Sequence, residues 1–258
     1  MSEFKGSELM TTTANGTAPA TANPQFYRRP VAVNRERHAN KSLADAGYGF
    51  ASTANAVALN AVEMAHAGRS YPIVFATSAP AFPIAVLGLR EQQNLFLNTD
   101  GTWRAATYIP AYLRRYPFIF AQTPGSNQLT LCVDEAAPHL VDGADRPLFA
   151  NGKPTDHTDN ALKFCMAFEA EREKTLPFAK ALDESGILVE NRADVNLAGG
   201  EKLHIGGYRV IDQAKFDALP DATILEWRRN GWLAPIYAHF VSMGCWQALL
   251  ALMGPKSA

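Results

Sequence analysis

Phe118-Ile119-Phe120-Ala121-Gln122 and Gln128-Leu129-Thr130-Leu131-Cys132-Val133-Asp134, with Pro124-Gly125-Ser126-Asn127 between them, decide the fold class of this chain. Both runs are rich in residues that suit strands, and the intervening Pro, Gly, Ser and Asn are turn formers. The connection is far shorter than the dozen or more residues that a parallel crossover needs, so the strands pair antiparallel. Toward the amino end, residues 72–77, 84–89 and 94–97 read as further strands, the last followed by the turn residues Asn98-Thr99-Asp100-Gly101. Val31-Ala32-Val33, following Pro30, reads as an edge strand. Toward the carboxyl end, Leu203-His204-Ile205 and residues 208–211 read as a hairpin across Gly206-Gly207.

Helical periodicity fills the gaps. Residues 52–67 are alanine-rich, with Ala54, Val57, Ala58, Ala61, Val62 and Ala65 on one face and Gly68 as a stop. Residues 109–115 form a short helix with Pro110 in its first turn. Asp156 or Thr158 caps a longer helix whose stripe includes Leu162, Phe164, Cys165, Phe168, Phe178 and Leu182. Pro177 is expected to break or kink it, and Ser185-Gly186 to end it. Asp212 caps a short helix through Leu219, Asp221 starts another, and Asn230-Gly231 closes that one. Residues 232–253 are apolar nearly all round and predict one buried helix. The expected fold is therefore α+β: a mainly antiparallel sheet of about five to seven strands, packed with helices, the C-terminal helix buried.

With 258 residues, 47% of them hydrophobic, the chain has material for a core without disulfides or a structural metal. Residues 1–25, rich in Thr, Ala, Asn and Gly, predict a disordered tail, and 26–258 a single domain. The 24 Lys and Arg against 25 Asp and Glu argue against a nucleic-acid binder, which needs a basic face. Cys132, Cys165 and Cys245 are scattered among apolar neighbours and read as buried free thiols of a reducing compartment. The amino end has no basic start followed by an apolar run, and no 18-residue stretch is free of polar groups. Both point to a cytoplasmic protein without a membrane span.

Several residue groups invite a chemical reading, and most have a simpler one. Glu63 and His66 have the spacing of a di-metal motif, but such a site needs two of these motifs, so a surface pair or a satisfied histidine is expected. Asp134, Glu135, His139, Asp142 and Asp145 match no calcium loop and read as a solvated acidic loop. Asp156-His157-Thr158-Asp159 reads as helix capping. His239 and Ser242, three apart on a helix and without G-x-S-x-G, read as a buried polar network before a hydrolase. The most distinctive stretch is Trp103 with Tyr108-Ile109-Pro110-Ala111-Tyr112-Leu113-Arg114-Arg115-Tyr116-Pro117-Phe118. Its rings and guanidinium groups suit a planar or anionic ligand, and equally suit a short helix whose arginines cover apolar surface. Gly199-Gly200 and Gly206-Gly207 fit no phosphate-binding loop, so neither a metal nor a cofactor is expected.

Tyr71-Pro72-Ile73-Val74-Phe75, Leu87-Gly88-Leu89, Asn94-Leu95-Phe96-Leu97, Gly101-x-Trp103, the Tyr108 to Phe118 stretch, and Gly231 with Ile236-Tyr237-Ala238-His239 and Ser242 resemble the SapC family. The likeness spans about residues 71–250 and is looser before Tyr71. It implies association with bacterial surface-layer or peptide-transport systems, and it carries over no catalytic residues. A permease is not implied here, since the chain has no span. The expected function is an accessory or ligand-sensing component of a cell-surface or nutrient-uptake system, the alternative an enzyme modifying a small molecule or peptide. The candidate ligand-binding residues are Trp103, Tyr108, Arg114, Arg115, Tyr237, His239 and Ser242. The partners left open are a small anionic molecule or peptide, a protein partner and a second copy of the chain. A deep pocket joining Arg114 or Arg115 to His239 favours the enzyme, a shallow apolar face the accessory protein.

Overall fold

A computed structural model describes residues 23–122, 128–143, 145–196 and 202–253. The expected turn at Pro124-Gly125-Ser126-Asn127 and the first 22 residues of the expected tail lie outside them. Strands β1 (Pro30–Ala32), β2 (Lys41–Leu43) and β3 (Ala56–Ala58) are followed by β4 (Ile73–Phe75), β5 (Pro83–Val86), β6 (Phe118–Gln122) and β7 (Leu129–Asp134). Then come β8 (Leu140–Asp142), β9 (Phe149–Ala150), β10 (Lys153–Pro154), β11 (Leu188–Asn196) and β12 (Lys202–Ile211). Every strand pairing among the described residues is antiparallel. The fold is α+β, as expected.

The decisive pair is in place: Phe118 of β6 lies opposite Val133 of β7, and β1 takes the edge on the other side of β7. The largest sheet has five strands in the order β11-β12-β4-β5-β3. Strands β4 and β5 are buried along their whole length, which is why they read as unbroken apolar runs. Tyr71, Phe75, Leu87, Phe178, Leu182 and Ile236 centre the main core.

Helices α1 (Met64–Ala67), α2 (Ala111–Arg114) and α3 (Asp156–Ser185) precede α4 (Gln213–Asp217), α5 (Asp221–Arg229), α6 (Leu233–Ser242) and α7 (Cys245–Leu252). Asp212 caps α4, its side chain accepting from Lys215 N at 3.0 Å, and Asn230 ends α5, as their residue types predict. Among the described residues no helix is long and apolar enough to cross a membrane.

The structure departs from expectation at six places. Residues 52–67 are not one helix: β3 occupies the middle, and a short 3-10 turn (Ala61–Glu63) leads into α1. Val57 is fully buried opposite Ala85, so small side chains served a crowded sheet, not a helix face. Asn60 and Glu63 form a capping box that starts the new turn there. Residues 94–97 form turns, with only Leu97 bridging to Trp103. The Asn94 side chain accepts from Phe96 N at 2.9 Å and donates to Ala51 O at 3.0 Å, local bonds that displace a ladder. Gly88 passes so close to this segment that a Cβ there would lie 2.0 Å from Gln93 O.

Gly206-Gly207 is no hairpin turn but the interior of β12. Asn191 pairs with Tyr208 and Ala193 with Ile205, so the two glycines face the single residue Arg192 in a bulge. Gly207 takes φ +80°, open to glycine at little cost, and this is what the pair supplies. The true partner, β11, is too polar to announce itself as a strand. Pro177 does not interrupt α3. It lies on the exposed face beside exposed Glu173, whose carbonyl it leaves unserved, while buried Thr175, Phe178 and Leu182 hold the helix in place. The N-cap of α3 is Thr155, one residue before Asp156, and Thr158 instead donates to Leu148 O at 2.7 Å. Finally, the predicted C-terminal helix is two, α6 and α7, and only half-buried. Pro235, Ile236, His239, Ser242 and Leu249 face the core, whereas Tyr237 is 55% and Val241 71% exposed.

Candidate functional site: an arginine-lined cleft

Local chemistry first fixes the short helix α2. Glu63, only 4% exposed, accepts from Ala111 N at 2.6 Å and from the Tyr108 hydroxyl at 2.9 Å, and from Asn60 N at 3.0 Å. This carboxylate satisfies free N–H groups at the starts of two turns. It is therefore a buried anchor and not the expected surface partner of His66, which is exposed and stacks on Tyr108.

Beside α2 lies a cleft of about 350 Å³. Three guanidinium groups, Arg114, Arg115 and Arg146, line it, with Tyr48, Phe50 and Phe164 as aromatic walls. Arg114 is exposed, donates from Nε to Ile109 O at 2.9 Å and from Nη2 to the Tyr108 hydroxyl at 3.2 Å, and lies over the Phe164 ring. Arg146 donates from Nε to Leu43 O at 3.1 Å. Neither pairs with a carboxylate of the described residues. Arg115 is the inward one, 7% exposed, with its guanidinium carbon 4.1 Å from the Tyr112 ring centre and 4.3 Å from that of Phe168. It reaches Glu169 at 3.6 Å.

His139 closes one side, packed edge-on against Phe50 and Tyr116. Its Nε2 lies 2.8 Å from Gly47 O, and a carbonyl only accepts, so Nε2 carries the proton and Nδ1 the lone pair. Burial holds this imidazole below its ordinary pKa. The Tyr116 hydroxyl donates to Asp134 at 3.2 Å, and the Tyr116 ring stacks on Phe50 at 4.0 Å. The lowest layer of the cleft is thus tied to a fully buried carboxylate. Asp134 belongs to no solvated loop: it is 0% exposed.

The SapC family model matches residues 33–249, which include every cleft residue named above. This chain belongs to the SapC family. No curated protein and no solved structure matches it.

In this SapC-family chain the seven candidate residues do not form one site. Arg114 and Arg115 line the cleft, and Tyr108 supports Arg114 from behind. Trp103 is buried against the cleft's Tyr48 at 5.6 Å and donates from Nε1 to the Tyr71 hydroxyl at 3.0 Å. Tyr237, His239 and Ser242 do not line the cleft. Tyr237 is exposed beside Phe216 and Phe240. His239 uses both ring nitrogens on backbone, donating from Nδ1 to Ile73 O at 2.8 Å and accepting at Nε2 from Ile211 N at 3.1 Å. Ser242 accepts from Ile73 N at 3.0 Å and donates to His239 O at 2.6 Å. These two side chains fasten α6 to β4 and β12.

The SapC-family thiols are equally quiet. Cys132 and Cys165 are buried and Cys245 half-buried, and burial raises the pKa of each, that of Cys165 to about 11. All three are protonated at neutral pH and so are poor nucleophiles. Among the described residues no group of three or more His, Cys, Asp or Glu is placed to hold a metal. The residues that sequence reasoning missed are Arg146, Tyr48, Phe50 and Phe164, and His139 was read only as part of an acidic loop. Nothing local marks them, because three separate segments bring them together.

Proposed function

We propose that this SapC-family chain is a binding protein, a ligand-sensing or accessory component of a bacterial cell-surface or nutrient-uptake system. Its cleft takes up a small anionic molecule or the acidic end of a peptide. One observation carries the reading: Arg114 and Arg146 line an aromatic-walled cleft, and neither forms a salt bridge with a carboxylate of the described residues. A guanidinium beside rings binds anions by paired hydrogen bonds and stacking. The interior His239–Ser242 network, with its polar atoms committed to backbone, supplies no nucleophile to a ligand in this cleft.

The two adjacent arginines separate binding from stability. Arg114→Lys keeps the charge and loses the planar fork together with the bonds to Ile109 O and the Tyr108 hydroxyl, so anion affinity should fall about tenfold while stability falls less than in Arg115→Lys. Arg115→Lys removes a guanidinium stacked between two rings and should lower stability by about 1–3 kcal/mol. Thermal melts of parent and variants across a panel of carboxylates, phosphates and short peptides measure both. A parent whose melting no anion raises, or an Arg114→Lys variant that binds as the parent does, overturns the proposal.

A further inference from the structure

We infer that the cleft takes up its anion together with a proton, which His139 receives at Nδ1. This coupling rests on the anion-binding role just proposed, and the surroundings of His139 carry it.

Of the six histidines, His139 lines the same cleft as Arg114 and Arg146. Its Nε2–H is committed to Gly47 O at 2.8 Å, so Nδ1 is the atom that takes a second proton. Nδ1 is buried and has no hydrogen-bond partner among the described residues. An imidazolium would therefore carry a new N–H without an acceptor. The free protein keeps this ring neutral at pH 7, and burial holds its pKa below the ordinary 6.5.

The neighbouring charges act in both directions. Asp45 favours the imidazolium and Arg146 opposes it. The Phe50 and Tyr116 rings pack edge-on against the imidazole, and the Tyr116 hydroxyl is given to Asp134. Arg114, Arg115 and Tyr48 complete the titratable lining of the cleft.

An anion gripped by Arg146 changes this balance. It offsets the guanidinium charge that opposes the imidazolium, inside a cleft of about 350 Å³ that the ring itself lines. His139 then holds its proton more tightly with the anion bound than without it. By reciprocity the proton favours the anion to the same degree. Affinity is lowest above the bound-state pKa, rises as the pH falls through it, and levels off below the free-state pKa.

The test is titration calorimetry on the full chain with benzoate and with sulfate, neither of which changes charge between pH 5.5 and pH 8. Each anion that binds should do so about three- to tenfold more tightly at pH 5.5 than at pH 8. At pH 6, the difference in binding heat between MES and bis-tris buffers should report uptake of about 0.3–0.8 proton per anion. His139→Gln should show neither the pH slope nor the proton uptake, whatever its affinity. In ring-proton NMR of the parent, one of the six histidines should titrate at higher pH once the anion is saturating. Binding without proton uptake, or a slope that His139→Gln retains, overturns the coupling and leaves the cleft an anion site. No histidine moving on saturation overturns it equally, even if the variant fails to fold. If neither anion binds at any pH, the proposed role of the cleft falls and the coupling with it.

Discussion

Replacing Asp134 by alanine is expected to destabilise the chain by about 3–5 kcal/mol, the largest single-residue effect anticipated here. Its Oδ2 accepts from Arg28 N at 3.0 Å and from the Tyr116 hydroxyl at 3.2 Å; its Oδ1 accepts from Arg29 N at 2.8 Å and Ala136 N at 3.1 Å. Asp134 itself has zero exposure. Truncation would take the acceptor from three backbone N–H groups and a buried hydroxyl, and a buried group left without its partner costs about 1–3 kcal/mol before relaxation. Asp134→Asn keeps the shape, but its amide nitrogen meets donors, so an intermediate loss is expected. Because Tyr116 leans on this carboxylate, the cleft should loosen as well. Urea unfolding of both variants measures the effect, and a loss under about 1 kcal/mol for Asp134→Ala contradicts this account.

Acid should act through His239. Burial is the main cause that lowers its pKa, to about 4, against an ordinary value of 6.5, with the hydrogen bond to Ile73 O opposing the shift. The unfolded chain therefore takes up this proton more readily than the folded one. Stability is complete above about pH 6.5, declines as the pH falls from there toward 4, and loses about 3 kcal/mol over that window. His239→Gln is less stable at pH 7.5, since it disturbs bonds to Ile73 and Ile211. It lacks the titration, however, so the gap between variant and parent should narrow by about that amount between pH 7 and pH 4. Parallel stability curves for the two proteins would falsify the assignment. His139, also held below its ordinary value by burial, is common to both proteins, so it cancels in the comparison.

Legibility in the sequence followed the range of the interactions. Asp212 accepts the free N–H of Lys215 three residues on, and a cap of that kind needs no knowledge of the rest of the chain. The same holds for Asn230 and Gly231 after α5, and for the left-handed Gly186 after α3. Where local preference and tertiary demand conflicted, the tertiary demand won. Alanines that suit a helix became β3 because β5 offered a partner and the core had space only for small side chains. Two glycines that look like a turn became a bulge because β11, a strand with five polar or charged residues among its nine, paired across them.

The site divides in the same way. Arg114 and Arg115 stood out because aromatic residues flank them along the chain, but which faced inward depended on Tyr112, Phe168 and Glu169 closing around one guanidinium. Arg146, His139 and Tyr48 carry no mark in their own neighbourhoods, and His239 and Ser242 looked chemical until Ile73 and Ile211 were seen to occupy them. By itself the sequence determined the antiparallel α+β class, the family, and the caps at the start of α4 and the ends of α3 and α5, all of which depend on residues a few positions apart or on the order of motifs. Only the tertiary structure decided which polar groups were spent on backbone and which were left to meet a ligand. Hydrogen-bond and charge partners are supplied across space, by residues whose separation along the chain bears no relation to their distance in the fold.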